Sequence, residues 1–236
     1  MSGRRNISGI LKAVQEDGRK ILTEYESKNI LSEIGISVIE TILATSKLEA
    51  VDAARELKYP VVMKVSSPDI MDRSEADAIR VGLTSEIEVR QAFEDITINA
   101  RSYDKEADVR GVVVQKYVPS ALEVIVKISQ DRSFGPTVVF GVAGVWTDFL
   151  EDMSYRLAPV SKSDAGEMIE EIDGYPMLLG GEEGNPVDIS ALKDIIHRIS
   201  QLPMEYEGIL EINLDPVFAL GEGKGATVVD ARIELK

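Results

Sequence analysis

The chain has 236 residues, 26 Lys and Arg against 41 Asp and Glu, a formal net charge of −15, one histidine and no cysteine. That length suits one large domain or two associated lobes, and 44% apolar with 28% charged residues is ordinary globular composition. The missing cysteines exclude disulfides, thiolate nucleophiles and Cys-ligated zinc or iron–sulfur centres, and the acidic balance argues against a nucleic-acid partner. No apolar run approaches the ~20 residues of a membrane span, and the N-terminal segment is too mixed for a signal peptide. The expectation is a cytoplasmic protein with neither membrane nor nucleic-acid partners.

Residues 1–20 carry five of the basic residues and read as an arm or separate helix. Capping boxes then mark three helices. Thr23 and Glu26 open one that stops at Gly35, Ser46 and Glu49 open one that ends before Pro60, and Ser85 and Glu88 open a third through Ala100. Between the second and third, residues 60–66 form a β-branched run typical of a buried strand, and residues 111–118 read as another. Pro119 and Ser120 break the chain, which sets a boundary between a lobe over 21–118 and a second over 119–236. In the second, strands are expected at 122–129, 136–140, 209–214 and 227–235, with helices near 164–172 and 189–202. Several strands follow one another without a crossover helix, so the class is α+β with antiparallel pairing.

The single histidine, His197, lies in an amphipathic stretch whose apolar side is Ile189, Leu192, Ile195, Ile196, Ile199 and Leu202. With Lys193, Ser200 and Gln201 it falls on the polar side, as a solvated helix-surface residue. The chain therefore offers no Ser-His-Asp triad and no histidine metal site, and any histidine chemistry has to come from another chain.

Three other groups of residues can carry chemistry. Glu211, Asn213 and Asp215 alternate with Ile212 and Leu214, so their oxygens share one strand face. A hairpin centred between Glu222 and Gly223 sets Asp215 beside Asp230 and Asn213 opposite Arg232. Such hard oxygen donors suit Mg²⁺, although a polar strand face washed by solvent has the same pattern. Lys64 interrupts an apolar strand, where a bound phosphate would balance it; a lysine snorkelling from an edge strand is the alternative. Gly141 and Gly144 follow a strand and either let backbone N–H groups approach a ligand or form a hairpin turn. Arg156 is the remaining basic residue near such a loop and, with Lys64, is a candidate catalytic residue.

In order along the chain, LTEYESKNIL (22–31), YPVVMKVSSPDI (59–70), LEVIVK (122–127), FGPTVVFG (134–141), SYRLAPV (154–160) and the closing DPVFA and VVDARI segments resemble one family. It is the β subunit of NDP-forming (ADP-forming) acyl-CoA synthetases, ATP-grasp proteins related to the β subunit of succinyl-CoA synthetase. The resemblance implies two ATP-grasp lobes with antiparallel sheets clasping MgATP or MgADP. Lys64 would contact nucleotide phosphate, Glu123 would lie near the base or ribose, and Asp215 and Asp230 would hold Mg²⁺. It further implies reversible conversion of acyl-CoA, ADP and phosphate into acid, CoA and ATP through a phosphohistidine. That histidine belongs to a CoA-binding α subunit, in an α₂β₂ heterotetramer.

The chain also departs from the family pattern. Asp72 stands where the family usually has a histidine, the paired glycines that follow are gone, and Asp72, Glu75 and Asp77 bring like charge to a phosphate-covering loop. The family's arginine is missing from residues 180–186, its glycine run has become Gly141-Val-Ala-Gly144, and its C-terminal acidic motif is rearranged around Asn213 and Asp215. An ATP-grasp shell that acts mainly as a binding or scaffold module is therefore the alternative expectation.

Overall fold

The computed structural model describes residues 2–119, 121–143, 152–181 and 184–236, with residues 2–5 by backbone alone. Two compact units emerge. One gathers residues 21–26 and 39–119; the other gathers 1–20, 27–38 and 120–236. One crossing between the units falls at Pro119 and Ser120. Residues 1–20 and 27–38 both group with the C-terminal half of the chain, so the unit built on residues 39–119 takes only residues 21–26 from the segment before it. Among the described residues no helix is long and apolar enough to cross a membrane.

The unit containing residues 39–119 is built on a four-stranded antiparallel sheet. Its strands are β1 (Thr41–Ala44), β2 (Val61–Ser66), β3 (Ile79–Leu83) and β4 (Gly111–Lys116), in the order β1-β4-β2-β3. Helices α3 (Lys47–Leu57) and α4 (Glu86–Tyr103) pack against each other and the sheet. Ala50, Ala54 and Leu57 meet Val89, Ala92 and Ile96 over Val61, Met63 and Val65 in one core. The Ser46 and Ser85 hydroxyls accept from the Glu49 and Glu88 amides as expected of N-caps. Their glutamates reach one residue further back, to the Thr45 and Thr84 amides at 2.7 Å each. Helix α2 (Glu24–Glu33) begins with a reciprocal box: the Thr23 amide donates to Glu26 at 2.8 Å, and the Glu26 amide donates to Thr23 Oγ1 at 3.3 Å.

The other unit is built on a six-stranded sheet of β5 (Leu122–Asp131), β6 (Gly135–Val142), β7 (Met153–Leu157), β8 (Ile209–Ala219), β9 (Ala226–Val228) and β10 (Ala231–Leu235). The main order is β10-β8-β5-β6-β7, with β9 also paired to β8. Helices α5 (Lys162–Glu171) and α7 (Ile189–Glu205) pack on it, and a short α6 (Tyr175–Leu178) connects them. Helix α1 (Ser2–Glu16) belongs to this unit and buries Ile7, Leu11 and Val14, a four-then-three spacing that lines one helical face.

Alternation sorts the sheet's side chains. Val126, Ile128, Val138, Phe140, Ile212, Leu214 and Ile233 are buried on one face. The partners between them, Lys127, Val139, Asn213 and Arg232, share the other face. The expected hairpin register holds: Asn213 pairs Arg232, Leu214 pairs Ala231 and Val217 pairs Val228.

Candidate nucleotide and metal-binding groups

Lys64 lies on β2, an interior strand, so the snorkelling alternative does not hold; the residue is 5% exposed. It faces away from α3 and α4, because Val61, Met63 and Val65 take the core side. Its Nζ lies 3.4 Å from Glu24 Oε1 in the first turn of α2, and the second Glu24 oxygen lies 3.3 Å from Arg73 Nη2. Neither Glu24 nor Arg73 is conspicuous in the sequence. A glutamate just after an N-cap reads as a helix-dipole residue, and Arg73 sits inside an acidic run. Only the fold brings these residues, 40 and 9 positions from Lys64, together.

The acidic run itself is tied down. Asp72 Oδ1 accepts from the Ser74 and Glu75 amides at 2.9 and 2.8 Å. Glu75 accepts from the Tyr103 hydroxyl at 2.9 Å, and that bond is the first cause of a raised Tyr103 pKa. Asp77 accepts from Arg80 at 2.9 Å and from Asn99 at 2.9 Å.

In the other unit the open sheet face collects the second group. Lys127 on β5, Asn213 on β8 and Arg232 on β10 form a cross-strand row, and the Arg232 guanidinium donates to Glu211 at 3.2 Å. Asp215 and Asp230 are neighbours as expected, since the Asp215 amide donates to the Asp230 carbonyl at 3.3 Å. Asp215 presents an exposed surface. Its carboxyl is nevertheless raised above the usual aspartate range: lost hydration pushes it up, Lys127 pulls it back, and Asp230 pushes it up again. Asn213 Oδ1 is buried with no hydrogen-bond partner among the described residues. An acceptor left so costs free energy unless a ligand reaches it. No cluster of three or more Asp, Glu or His side chains that could hold a metal occurs among the described residues. Two carboxylates and an amide oxygen nevertheless suit Mg²⁺, which fills its octahedron with water and ligand phosphate. Asn213 was read with the aspartates from alternation, whereas Lys127, which pairs Asn213 and acts on Asp215, was missed although alternation along β5 puts it on the open face.

The remaining candidates separate. Glu123 pairs Phe218 across β5 and β8, and its carbonyl accepts from the Ala143 amide at 2.8 Å. Gly141 shares the Lys127 face, but its lack of a side chain answers to the neighbouring strand. A Cβ there would stand 2.7 Å from the Asp152 carbonyl oxygen. Gly144 lies outside the described residues. Arg156 is not brought to the aspartates. It pairs Val138 on the helix-side face, and its guanidinium donates to Glu171 of α5 at 2.8 and 2.5 Å. That bond is the main reason its pKa is raised. His197 is only part-exposed: its Nδ1 lies 2.7 Å from the Val160 carbonyl oxygen, and the adjacent Ser200 is fully buried, unlike the solvated polar face expected of them.

The sequence matches the ATP-grasp domain family over residues 13–235. The chain belongs to the ATP-grasp family. It is 43% identical over 214 residues to the β subunit of acetate–CoA ligase (ADP-forming) I of Pyrococcus furiosus, covering 91% of each chain. A dinucleotide-forming acetyl-coenzyme A synthetase 1 of Ca. Korarchaeum cryptofilum, solved with coenzyme A, Ca-AMPCP and HgCl⁺, superposes with TM-score 0.92 at 41% identity. That match covers 97% of this chain and 99% of that one. The same protein with coenzyme A and Mg-AMPPCP, its phosphohistidine segment pointing towards the nucleotide-binding site, gives TM-score 0.85 at 39% identity over 98% of this chain and 100% of that one. The ATP-grasp assignment agrees with the two antiparallel sheets and with the resemblance carried by the motifs.

Proposed function

We propose that this chain is the nucleotide-binding β subunit of an ADP-forming acyl-CoA synthetase. It moves a phosphoryl group between ADP or ATP and a phosphohistidine of a CoA-binding α subunit, in acyl-CoA + ADP + phosphate ⇌ acid + CoA + ATP. The observation that carries this reading is 43% identity to such a β subunit over 91% of each chain, combined with a buried strand lysine and a hard-donor face on the two sheets. Lys64 binds the phosphate end of the nucleotide, and Glu123 lies near the base or ribose. Asp215 and Asp230 hold Mg²⁺, with the Asn213 amide oxygen beside them. Bound Mg²⁺ neutralises charge on the phosphates, which is most of what a phosphoryl-transfer site can supply. The reactive imidazole comes from the partner, because His197 is engaged at the Val160 carbonyl. The reading places the protein in the cytoplasm, in an α₂β₂ assembly.

A scaffold role draws its support from like charge at residues 72–77. Asp77 is paired with Arg80, and Asp72 and Glu75 are held by backbone amides and the Tyr103 hydroxyl, which fixes those charges in place without removing them. Calorimetry of the chain with ADP and ATP, with and without Mg²⁺, tests the reading. Binding that needs Mg²⁺ and weakens in Lys64→Ala and Asp215→Ala supports it. Unchanged affinity in both variants overturns it.

A further inference from the structure

Lys127 has no part in the function proposed above, yet its surroundings single it out. It sits in the middle of β5, half-buried, with Asn213 of β8 on one side and Val139 of β6 on the other. Val139, and Ile125 two residues back on the same face, are buried apolar side chains. Arg232, the other cation of this cross-strand row, is engaged with Glu211. Among the described residues nothing accepts from the Lys127 ammonium, by hydrogen bond or ion pair. Asn213 Oδ1, the acceptor on its cross-strand neighbour, is buried with no hydrogen-bond partner among those residues. A donor and an acceptor on paired residues thus stand unbonded to each other, near Asp215, whose carboxyl feels the lysine's charge.

A lysine stem laid over apolar neighbours accounts for its methylenes. It does not account for the ammonium, because a partly desolvated charge with no counter-ion costs free energy that an arriving anion offsets. Charge balance on this face says what the anion meets. The two carboxylates, Asp215 and Asp230, cancel the charge of one Mg²⁺, and Arg232 is spent on Glu211. Phosphate oxygens reaching that ion therefore find no net positive charge unless a second cation stands beside it. A second divalent ion would also repel the first, more strongly than a singly charged ammonium does. We propose that Lys127 is that second cation: it donates to phosphate oxygens of a nucleoside di- or triphosphate beside a single Mg²⁺ at Asp215 and Asp230, and takes the place of a second metal ion. This inference rests on the nucleotide reading given above and fixes the number of metal ions that reading requires.

The test counts metal ions. Equilibrium dialysis of the full chain with ATP and Mn²⁺, which takes the same hard oxygen ligands as Mg²⁺, should give one bound ion per chain for the wild type and for Lys127→Arg. Lys127→Met keeps an apolar stem and removes the charge, so it should take up two. By calorimetry it should bind ATP with Mg²⁺ about tenfold or more weakly, the loss of one hydrogen-bonded charge. That loss should shrink as Mg²⁺ is raised beyond the level at which wild-type affinity stops changing, and the ligand-free melting temperature should not fall. Two ions on the wild-type chain overturn the inference. So does wild-type affinity in Lys127→Met, or a loss that added Mg²⁺ does not relieve. A lowered melting temperature with equal losses for AMP, ADP and ATP marks a structural role and overturns it as well. In each of these cases the wild type still binds ATP and the nucleotide reading stands. A wild-type chain that binds no ATP at any Mg²⁺ concentration overturns both.

Discussion

The two units handle charge in opposite ways. On the four-stranded sheet the critical cation is buried in an interior strand, and a glutamate from α2 compensates it. On the six-stranded sheet Lys127, Asn213, Asp215 and Arg232 stand on the face turned away from the buried apolar row, with water available to most of them. The difference teaches where sensitivity should lie. A buried charge depends on its fixed counter-ion, so its loss disturbs folding and ligand binding together. A charge on an open face is compensated by hydration, so its loss is felt mainly when a ligand arrives.

The largest expected effect is therefore at Lys64. Lys64→Met should weaken ATP binding by about 10- to 100-fold. It should also lower unfolding free energy by about 3 kcal/mol, because the buried Glu24 carboxylate loses the Lys64 ammonium. Calorimetry and urea denaturation read the two losses. Asp215→Ala should come next, with Mg²⁺-dependent nucleotide binding reduced about tenfold or more and the urea midpoint barely moved. If both variants lose equal stability, the contrast between buried and open charge is wrong.

The two units also differ in how far their sequences could be read. The open face was legible because strand alternation is local: Glu211, Asn213 and Asp215 declare a shared side, and the glycine-bearing turn at residues 221–225 fixes which residues meet across it. Asp215 beside Asp230 and Asn213 opposite Arg232 follow from that arithmetic and hold in the fold. Lys64 was legible as an anomaly, but its partners were not, since nothing local links Glu24 or Arg73 to β2. Strands β1, β3 and β7 were missed for another reason. Each ends its sheet, so each is short and partly exposed, and the apolar pattern that betrays an interior strand is diluted by residues such as Arg80 and Arg156. Arg156 was misplaced on the same ground: without β7 and its register, nothing showed that it faces α5.

Two further substitutions sharpen the contrast inside the six-stranded sheet. Gly141→Ala forces a methyl against the Asp152 carbonyl, 2.7 Å away, and Met153 Cγ, 3.0 Å away. Overpacking of this kind costs about 1–3 kcal/mol, so thermal melting should fall by several degrees while a nucleotide still binds at saturating concentration. Arg156→Ala loses a part-exposed pair with Glu171, a change worth about 0.2–1 kcal/mol. Turnover measured with the α subunit should be unchanged. A drop beyond tenfold (about 1.4 kcal/mol) would return Arg156 to the chemistry.

The smallest effect carries the most specific sign. The Asp215 carboxyl titrates above its usual range in the folded chain, chiefly through lost hydration, so its ionised form is disfavoured by folding. Without metal near pH 7, Asp215→Asn should therefore melt slightly above the wild type, the gain expected when a functional site carries a strained charge. As pH falls through the raised folded value, the wild-type carboxyl takes up a proton and the gap narrows. Below the unfolded value of about 3.9 both states are protonated and the gap is gone. Mg²⁺ with nucleotide at neutral pH should raise the wild-type melting temperature and leave the variant almost unmoved, because the cation supplies the compensation that the proton supplies in acid. A metal-free variant that melts below the wild type near pH 7 would mean that the Asp215 charge stabilises the fold, and the open face would then resemble the buried one.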